Sequence, residues 1–187
     1  MKIHLLLIIL MATQLFSEEV KIEYKHGCKI PDIIIQTIRL TENKSNYKYF
    51  IRTNDTDTLQ KFNSIIKKYE HKFPYKEDRK VIDCFNTDNC VSISTDLILN
   101  GINNLDLGLF QINYKSFPFN LYTYFEKVHS YKNACKVMYE KIKITKKWDW
   151  NTVAAYYSLT PSLNESYKNL LIENFLFLIK NKEVLND

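Results

Sequence analysis

Hydrophobic residues recur every three or four positions over several segments of the chain, which is the spacing that lines one face of an α-helix. The predicted helices are 32–42, 59–73, 91–100, 134–145 and 163–182, and a short strand or turn is predicted at 81–84. Pro31 suits the start of the first helix, because its missing N–H would have no partner there. The densest apolar run of the last helix, 175–179, is far shorter than the roughly 20 residues of a membrane span. The pattern predicts a mainly α-helical protein with little sheet.

The central segment 106–113, which reads D-L-G-L-F-Q-I-N, breaks this pattern. Gly108 is one of only three glycines in 187 residues, so it marks a point where the backbone needs a positive φ or where another group approaches closely. After it, apolar residues alternate with the amides Gln111 and Asn113, which suits the wall of a ligand groove. The alternative is a loop whose amides satisfy backbone groups. We expect Asp106 to be a loop or cap residue.

Glu42 ends the first predicted helix on the same face as Ile35 and Ile38, which lie seven and four positions earlier. The carboxyl is thus expected at the edge of a buried apolar stripe. Desolvation and the negative end of the helix dipole would both raise its pKa. The alternative is a solvent-facing glutamate in a fraying last turn.

Residues 1–17 have the layout of a secretory signal peptide, with Lys2, an apolar run at 5–11 and the small residue Ser17 before two glutamates. We expect cleavage after Ser17, and an uncleaved anchor is the alternative. The remaining residues, 18–187, are enough for one domain with a substantial core and too few for two. The sequence therefore predicts an exported, single-domain protein.

The cysteines are Cys28, Cys84, Cys90 and Cys135. An even number in an exported chain indicates disulfides, with three possible pairings. Turn-forming residues at 86–89 favour the pair Cys84–Cys90, which leaves Cys28–Cys135. A zinc site is the competing interpretation, but the spacing is not that of paired zinc ligands, and we expect no metal.

The formal net charge of +5 is mild. It fits an anionic polymer or a membrane surface as a partner, but the chain has no clustered basic stripe of the kind that nucleic-acid-binding proteins carry. We expect no nucleic-acid partner.

Three features stand in order along the chain: Glu42 at the end of an apolar helix, the segment 108–113, and A-Y-Y at 155–157 followed by Tyr167. Together they resemble the lytic transglycosylase family with the lysozyme-like (SLT) domain, especially the small exported members associated with secretion and pilus systems. In that family a catalytic Glu, usually followed by Ser, closes the first helix, and the motifs G-L-M-Q-I and A-Y-N-x-G come later. The likeness covers about residues 28–175. It implies a lysozyme-like fold for 18–187, with an insertion at about 56–100.

Carried over position by position, the resemblance implies Glu42 as the catalytic acid. The substrate-binding residues it implies are Gly108, Leu109, Phe110, Gln111, Asn113 and Tyr156. The chain departs from the family pattern at positions where Ser, Met, Asn and Gly are usual, namely Asn43, Phe110, Tyr157 and Leu159. The third motif is therefore the most altered.

The resemblance implies cleavage of the β-1,4 bond between N-acetylmuramic acid and N-acetylglucosamine in peptidoglycan, with a 1,6-anhydro product and no cofactor. It further implies a monomer in the periplasm or cell envelope of a bacterium, serving secretion or pilus machinery. Three alternatives stay open: a hydrolytic lysozyme, an inactive peptidoglycan-binding or assembly protein of the same fold, and an inhibitor or adhesin with accidental similarity.

Overall fold

The first predicted helix is present in the computed structural model of the protein, which describes residues 22–44 and 48–181. It directly follows Pro31 and buries Ile35 and Ile38 completely. Within the described residues the helices are α1 (Asp32–Glu42), α2 (Leu59–Ile66), α3 (Thr87–Leu99), α4 (Tyr122–Phe125), α5 (Lys127–Thr145), α6 (Trp150–Ala154) and α7 (Pro161–Lys180). The prediction of a mainly α-helical fold is confirmed.

A small antiparallel sheet stands among these helices. Its strands in the described residues are β1 (Phe50–Thr53), β2 (Val81–Asp83), β3 (Leu105–Leu107) and β4 (Ile112–Asn113). Their order across the sheet is β2-β1-β3-β4. Ile51 lies opposite both Ile82 of β2 and Leu107 of β3, which fixes the register of the sheet.

One continuous hydrophobic core joins the sheet to the helices. It contains fully or almost fully buried side chains from every long helix, including Ile38, Phe62, Ile93, Met138 and Leu171. The last helix, α7, packs against both α1 and α6. The C-terminal end of α1 is therefore held next to α7, and this contact positions the site described below.

The second helix is shorter than its periodicity predicts. It ends at Ile66, and the prediction that it continues to Phe73 is wrong. The backbone of Lys72 exchanges hydrogen bonds of 3.0 and 2.9 Å with that of Asp83. This extended pairing draws residues near 72 toward β2, which a continuing helix would not allow.

Three other helices begin earlier than predicted, and the last of them, α7, begins at Pro161 instead of 163. The third starts at Thr87 because the side chain of Asn86 accepts a hydrogen bond of 2.9 Å from the backbone N–H of Asn89, which is a helix N-cap. The fifth starts at Lys127. Its first turns bury the polar residues Ser130 and Asn133, so the spacing of apolar residues does not reveal them as part of the helix.

Strand β1 (Phe50–Thr53) is not among the elements that the hydrophobic pattern predicts. The strand is central in the sheet, and three of its four residues are buried. A strand covered on both faces lacks the alternation that identifies a half-buried strand. The segment predicted as an insertion, 56–100, contributes α2, β2 and α3, and β2 extends the sheet beyond β1.

Both favoured disulfides are present. Cys28 pairs with Cys135 and joins the segment before α1 to α5, with a Cα–Cα distance of 6.0 Å. Cys84 pairs with Cys90 across the start of α3, with a Cα–Cα distance of 5.2 Å. Disulfides are typical of proteins exported to an oxidising compartment. The predicted signal peptide, 1–17, lies outside the described residues.

Within the described ranges, none of the helices combines the length and hydropathy that crossing a bilayer requires.

Candidate active site around Glu42

Glu42 is the last residue of α1, and its side chain is partly buried. The hydroxyl of Tyr167, on α7, donates a hydrogen bond of 2.5 Å to its Oε1 atom. Tyr167 lies on the buried face of α7, so the packing of α7 on α1 places this donor. The alternative of a fraying, solvent-facing glutamate is wrong, because a core residue from a distant helix holds the carboxyl.

Burial raises the pKa of Glu42 from 4.5 to about 8. The hydrogen bond from Tyr167 opposes this effect and lowers the pKa, the negative charge of Asp106 raises it, and the positive charge of Arg52 lowers it. Desolvation has the largest influence, as expected for a carboxyl at the edge of an apolar helix face. Glu42 is therefore mostly protonated at neutral pH and can donate a proton.

Asp106 is a second carboxyl near Glu42. It lies in β3, so the expectation of a loop or cap residue is wrong. Arg52 of β1 stands directly opposite it in the sheet register, and Nδ2 of Asn113 donates a hydrogen bond of 2.9 Å to its Oδ1. Burial raises the pKa of Asp106, while hydrogen bonds from Asn54 and Asn113 and the charge of Arg52 lower it.

The segment 108–111 forms the tight turn between β3 and β4. Gly108 has a φ of +71°. A Cβ at this position would lie 2.8 Å from the carbonyl carbon of Tyr124 and would collide with that carbonyl group. Its backbone N–H donates a hydrogen bond of 2.8 Å to the carbonyl of Phe50. Both reasons for a glycine that the sequence suggested, positive φ and close approach, apply here.

The predicted groove residues of this turn are tied into the protein. Gln111 has a φ of +46°, and its Nε2 donates a hydrogen bond of 2.8 Å to the carbonyl of Gly108. Leu109 and Phe110 are buried in the core. Asn113 bonds to the side chains of Asn104 and Asp106. Both amides are therefore hydrogen-bonded within the protein, and their contact with a ligand stays a prediction.

Tyr156 connects this turn to the helices. It is buried, and its hydroxyl donates a hydrogen bond of 2.9 Å to the carbonyl of Phe110. Burial raises the pKa of Tyr156, and the charges of Glu42 and Asp106 raise it further. The structure therefore brings Glu42, the turn after Gly108 and Tyr156 together, as their order along the chain suggested.

Three further residues of this site have no role assigned to them from the sequence. Tyr167 belongs to the third feature of the resemblance, which assigns it no role; the structure places it on the buried face of α7, where its hydroxyl donates to Glu42. Arg52 lies on the strand that the pattern did not predict. Tyr157, which was noted only as a departure from a motif, stacks on Tyr167 with ring centroids 5.1 Å apart and planes at 18°.

The arrangement combines a neutral carboxyl, a hydroxyl that can stabilise it once ionised, and a second carboxyl whose pKa is raised by burial and lowered by the charge of Arg52. Such a set can transfer a proton to a leaving group and take one back. No cluster of three or more His, Cys, Asp or Glu side chains in the described part of the chain is placed to hold a metal ion. Comparisons of the chain with protein-family models, curated proteins and solved structures found no match.

Proposed function

We propose that this protein is a lytic transglycosylase that cleaves the β-1,4 bond between N-acetylmuramic acid and N-acetylglucosamine in peptidoglycan. The observation that carries the proposal is the position of Glu42 at the end of the buried face of α1, where Tyr167 contacts it and burial raises its pKa to about 8, which suits a general acid near neutral pH. The three motifs that resemble this family also meet at one place, around Glu42. A lysozyme-like fold for 18–187 is part of the same proposal.

The reaction needs one residue in two successive roles. Glu42 first donates its proton to the glycosidic oxygen while the bond from that oxygen to C1 of the muramyl sugar breaks. The resulting carboxylate then removes the proton from the C6 hydroxyl of the same sugar, and the new bond from O6 to C1 closes the 1,6-anhydro ring. Proton loss and gain balance, so Glu42 ends as it began and water is not consumed.

Tyr167 has a defined part in this cycle. A hydrogen bond to a carboxylate is stronger than one to the neutral acid, so the 2.5 Å bond stabilises the ionised intermediate state of Glu42. Burial favours the neutral state before the reaction. These opposing influences keep the two protonation states close enough in free energy for the carboxyl to act as acid and then as base.

Hydrolysis of the same bond is the second candidate, and Asp106 favours it. Most glycosidases use a pair of carboxyl groups, one as acid and one as base or nucleophile. Asp106 is partly buried near Glu42; burial raises its pKa, and the charge of Arg52 opposes that effect. A lysozyme would use this second carboxylate, whereas the single-residue mechanism would not.

Digestion of purified peptidoglycan followed by mass spectrometry of the products tests the proposal. We expect soluble 1,6-anhydro muropeptides from the wild type and none from Glu42→Gln, which keeps the size and hydrogen-bonding capacity of the side chain. Glu140→Gln, at an exposed glutamate of α5 paired with Lys143, is the matched control and should retain activity. Products with a reducing end would indicate hydrolysis, and equal digestion by Glu42→Gln would refute a catalytic role for Glu42.

The proposal places the protein in the periplasm or cell envelope, where its substrate lies, and the two disulfides suit that compartment. Opening of the glycan mesh there would serve the assembly of a secretion or pilus system.

A further inference from the structure

Tyr157 is an aromatic side chain with one covered face and one open face. Its ring lies almost parallel to that of Tyr167, at an angle of 18° and a centroid distance of 5.1 Å. Yet 57% of the residue remains exposed to solvent. Since the stacked face is covered, this exposure includes the opposite face of the ring.

The position of this ring is fixed with respect to Glu42. The ring against which it stacks belongs to Tyr167, whose hydroxyl donates the 2.5 Å hydrogen bond to the carboxyl. The preceding residue, Tyr156, is buried and anchored to the carbonyl of Phe110. The backbone of Tyr157 is also tied to α6, through a hydrogen bond of 3.1 Å to the carbonyl of Ala154. The ring of Tyr157 is thus linked to the proposed acid through one side chain, that of Tyr167, and its backbone is hydrogen-bonded to α6.

We propose that the open face of Tyr157 is a stacking surface for a pyranose ring of the N-acetylglucosamine type, in the binding subsite next to the bond that Glu42 protonates. This inference rests on the proposed function, since it assigns the position of one sugar of that substrate. The C–H bonds on one face of a pyranose carry partial positive charge, and the face of an aromatic ring is negative. The two surfaces are complementary without any charged group.

The stack also links sugar binding to the acid. A sugar on Tyr157 removes water from the side of the Tyr157–Tyr167 pair that faces the solvent. Tyr167 is then held in the position from which it donates to Glu42. Tyr157 is therefore a substrate-binding residue that also keeps the hydrogen-bond donor of the acid in place.

A purely structural role is the competing explanation, in which Tyr157 only covers Tyr167. Tyr157→Leu distinguishes the two roles, because leucine still covers Tyr167 with an apolar side chain but has no aromatic face. Tyr157→Phe keeps the face and removes only the hydroxyl. Tyr24→Ala is the matched control: Tyr24 is also 57% exposed, but it lies near the start of α1, at the opposite end from Glu42.

The test measures the dissociation constant of chitotetraose from the full mature chain carrying Glu42→Gln, by NMR titration. Saturation transfer from the protein to the sugar C–H protons is recorded in the same samples. We expect Tyr157→Leu to weaken binding about tenfold and to abolish saturation transfer to one sugar ring. Tyr157→Phe and Tyr24→Ala should change the dissociation constant less than twofold. Unchanged binding in Tyr157→Leu would overturn this inference and leave the proposed function standing. Absence of binding by every variant, to chitotetraose and to isolated glycan strands alike, would overturn both.

Discussion

The raised pKa of Glu42 predicts a specific dependence of stability on pH. In the unfolded chain this carboxyl ionises with a pKa of about 4.5, whereas in the folded protein it does so at about 8. Between these values the folded state binds the additional proton, so the free energy of unfolding falls as the pH rises. Across the whole range between the two pKa values, the free energy of unfolding would fall by about 5 kcal/mol. Because Glu42 is partly exposed, we expect a measured effect of about 2 to 5 kcal/mol.

Glu42→Gln isolates this contribution, because the amide is neutral at every pH and can still accept the hydrogen bond from Tyr167. Urea unfolding of both proteins at pH 4 and at pH 9 gives the difference in their free energies of unfolding. At pH 4 the two proteins should have similar stability. At pH 9 the variant should be the more stable one by about 2 to 5 kcal/mol, a large part of the stability of a typical domain.

A matched variant checks that the effect belongs to this site. Glu140→Gln removes an exposed carboxyl on α5, and its stability relative to the wild type should change by less than about 0.5 kcal/mol between the two pH values. If Glu42→Gln behaves like Glu140→Gln, or is the less stable protein at pH 9, then Glu42 is not a desolvated carboxyl and the reasoning fails.

Three other predictions concern Tyr167, Gly108 and the two disulfides. Tyr167→Phe removes a hydrogen bond that lowers the pKa of Glu42. The alkaline limb of the activity–pH profile should therefore move up by about one pH unit, and kcat should fall. An unmoved profile would contradict this role of Tyr167. Gly108→Ala, which introduces strain and a backbone collision, should destabilise the protein by about 2 to 4 kcal/mol in urea unfolding, and a loss below 1 kcal/mol would show that the turn can relax. Replacing Cys28 and Cys135 by alanine removes a disulfide that spans 107 residues and should lower the free energy of unfolding by about 5 kcal/mol. Removing Cys84–Cys90, which spans 6 residues, should lower it by about 2 kcal/mol. Equal losses of stability in calorimetry would contradict this dependence on loop length.

The parts of the fold that local patterns determine were predictable. Helix α1 matches its predicted bounds because Pro31 marks its start and its isoleucines recur at helical spacing. Both disulfides also match, since a short turn-rich loop selects one pair and leaves the other. The C-terminal end of α2 and the existence of β1 depend on pairing between separate segments of the chain, such as that of Lys72 with Asp83. Local periodicity does not report such pairing.

In the candidate site, too, local signals identify some residues and long-range contacts determine the others. Glu42 and Gly108 could be selected from the sequence, because an apolar helix face and a rare glycine are local signals. The contribution of Arg52 and Asp106 depends on the register of β1 with β3, which the sequence did not reveal. Tyr167 could be singled out as part of the third feature, but its role could not be assigned, because only the packing of α7 on α1 shows that its hydroxyl reaches a carboxyl.

The most direct test of the central claim, that Glu42 protonates a glycosidic oxygen, is a crystal structure of Glu42→Gln with a bound peptidoglycan glycan fragment. We predict that the side-chain amide at position 42 lies about 3 Å from the oxygen joining the muramyl sugar to the next sugar, with the open face of Tyr157 against a pyranose ring. A glycan bound with that oxygen beyond the reach of position 42, or bound on another surface of the protein, would contradict the account.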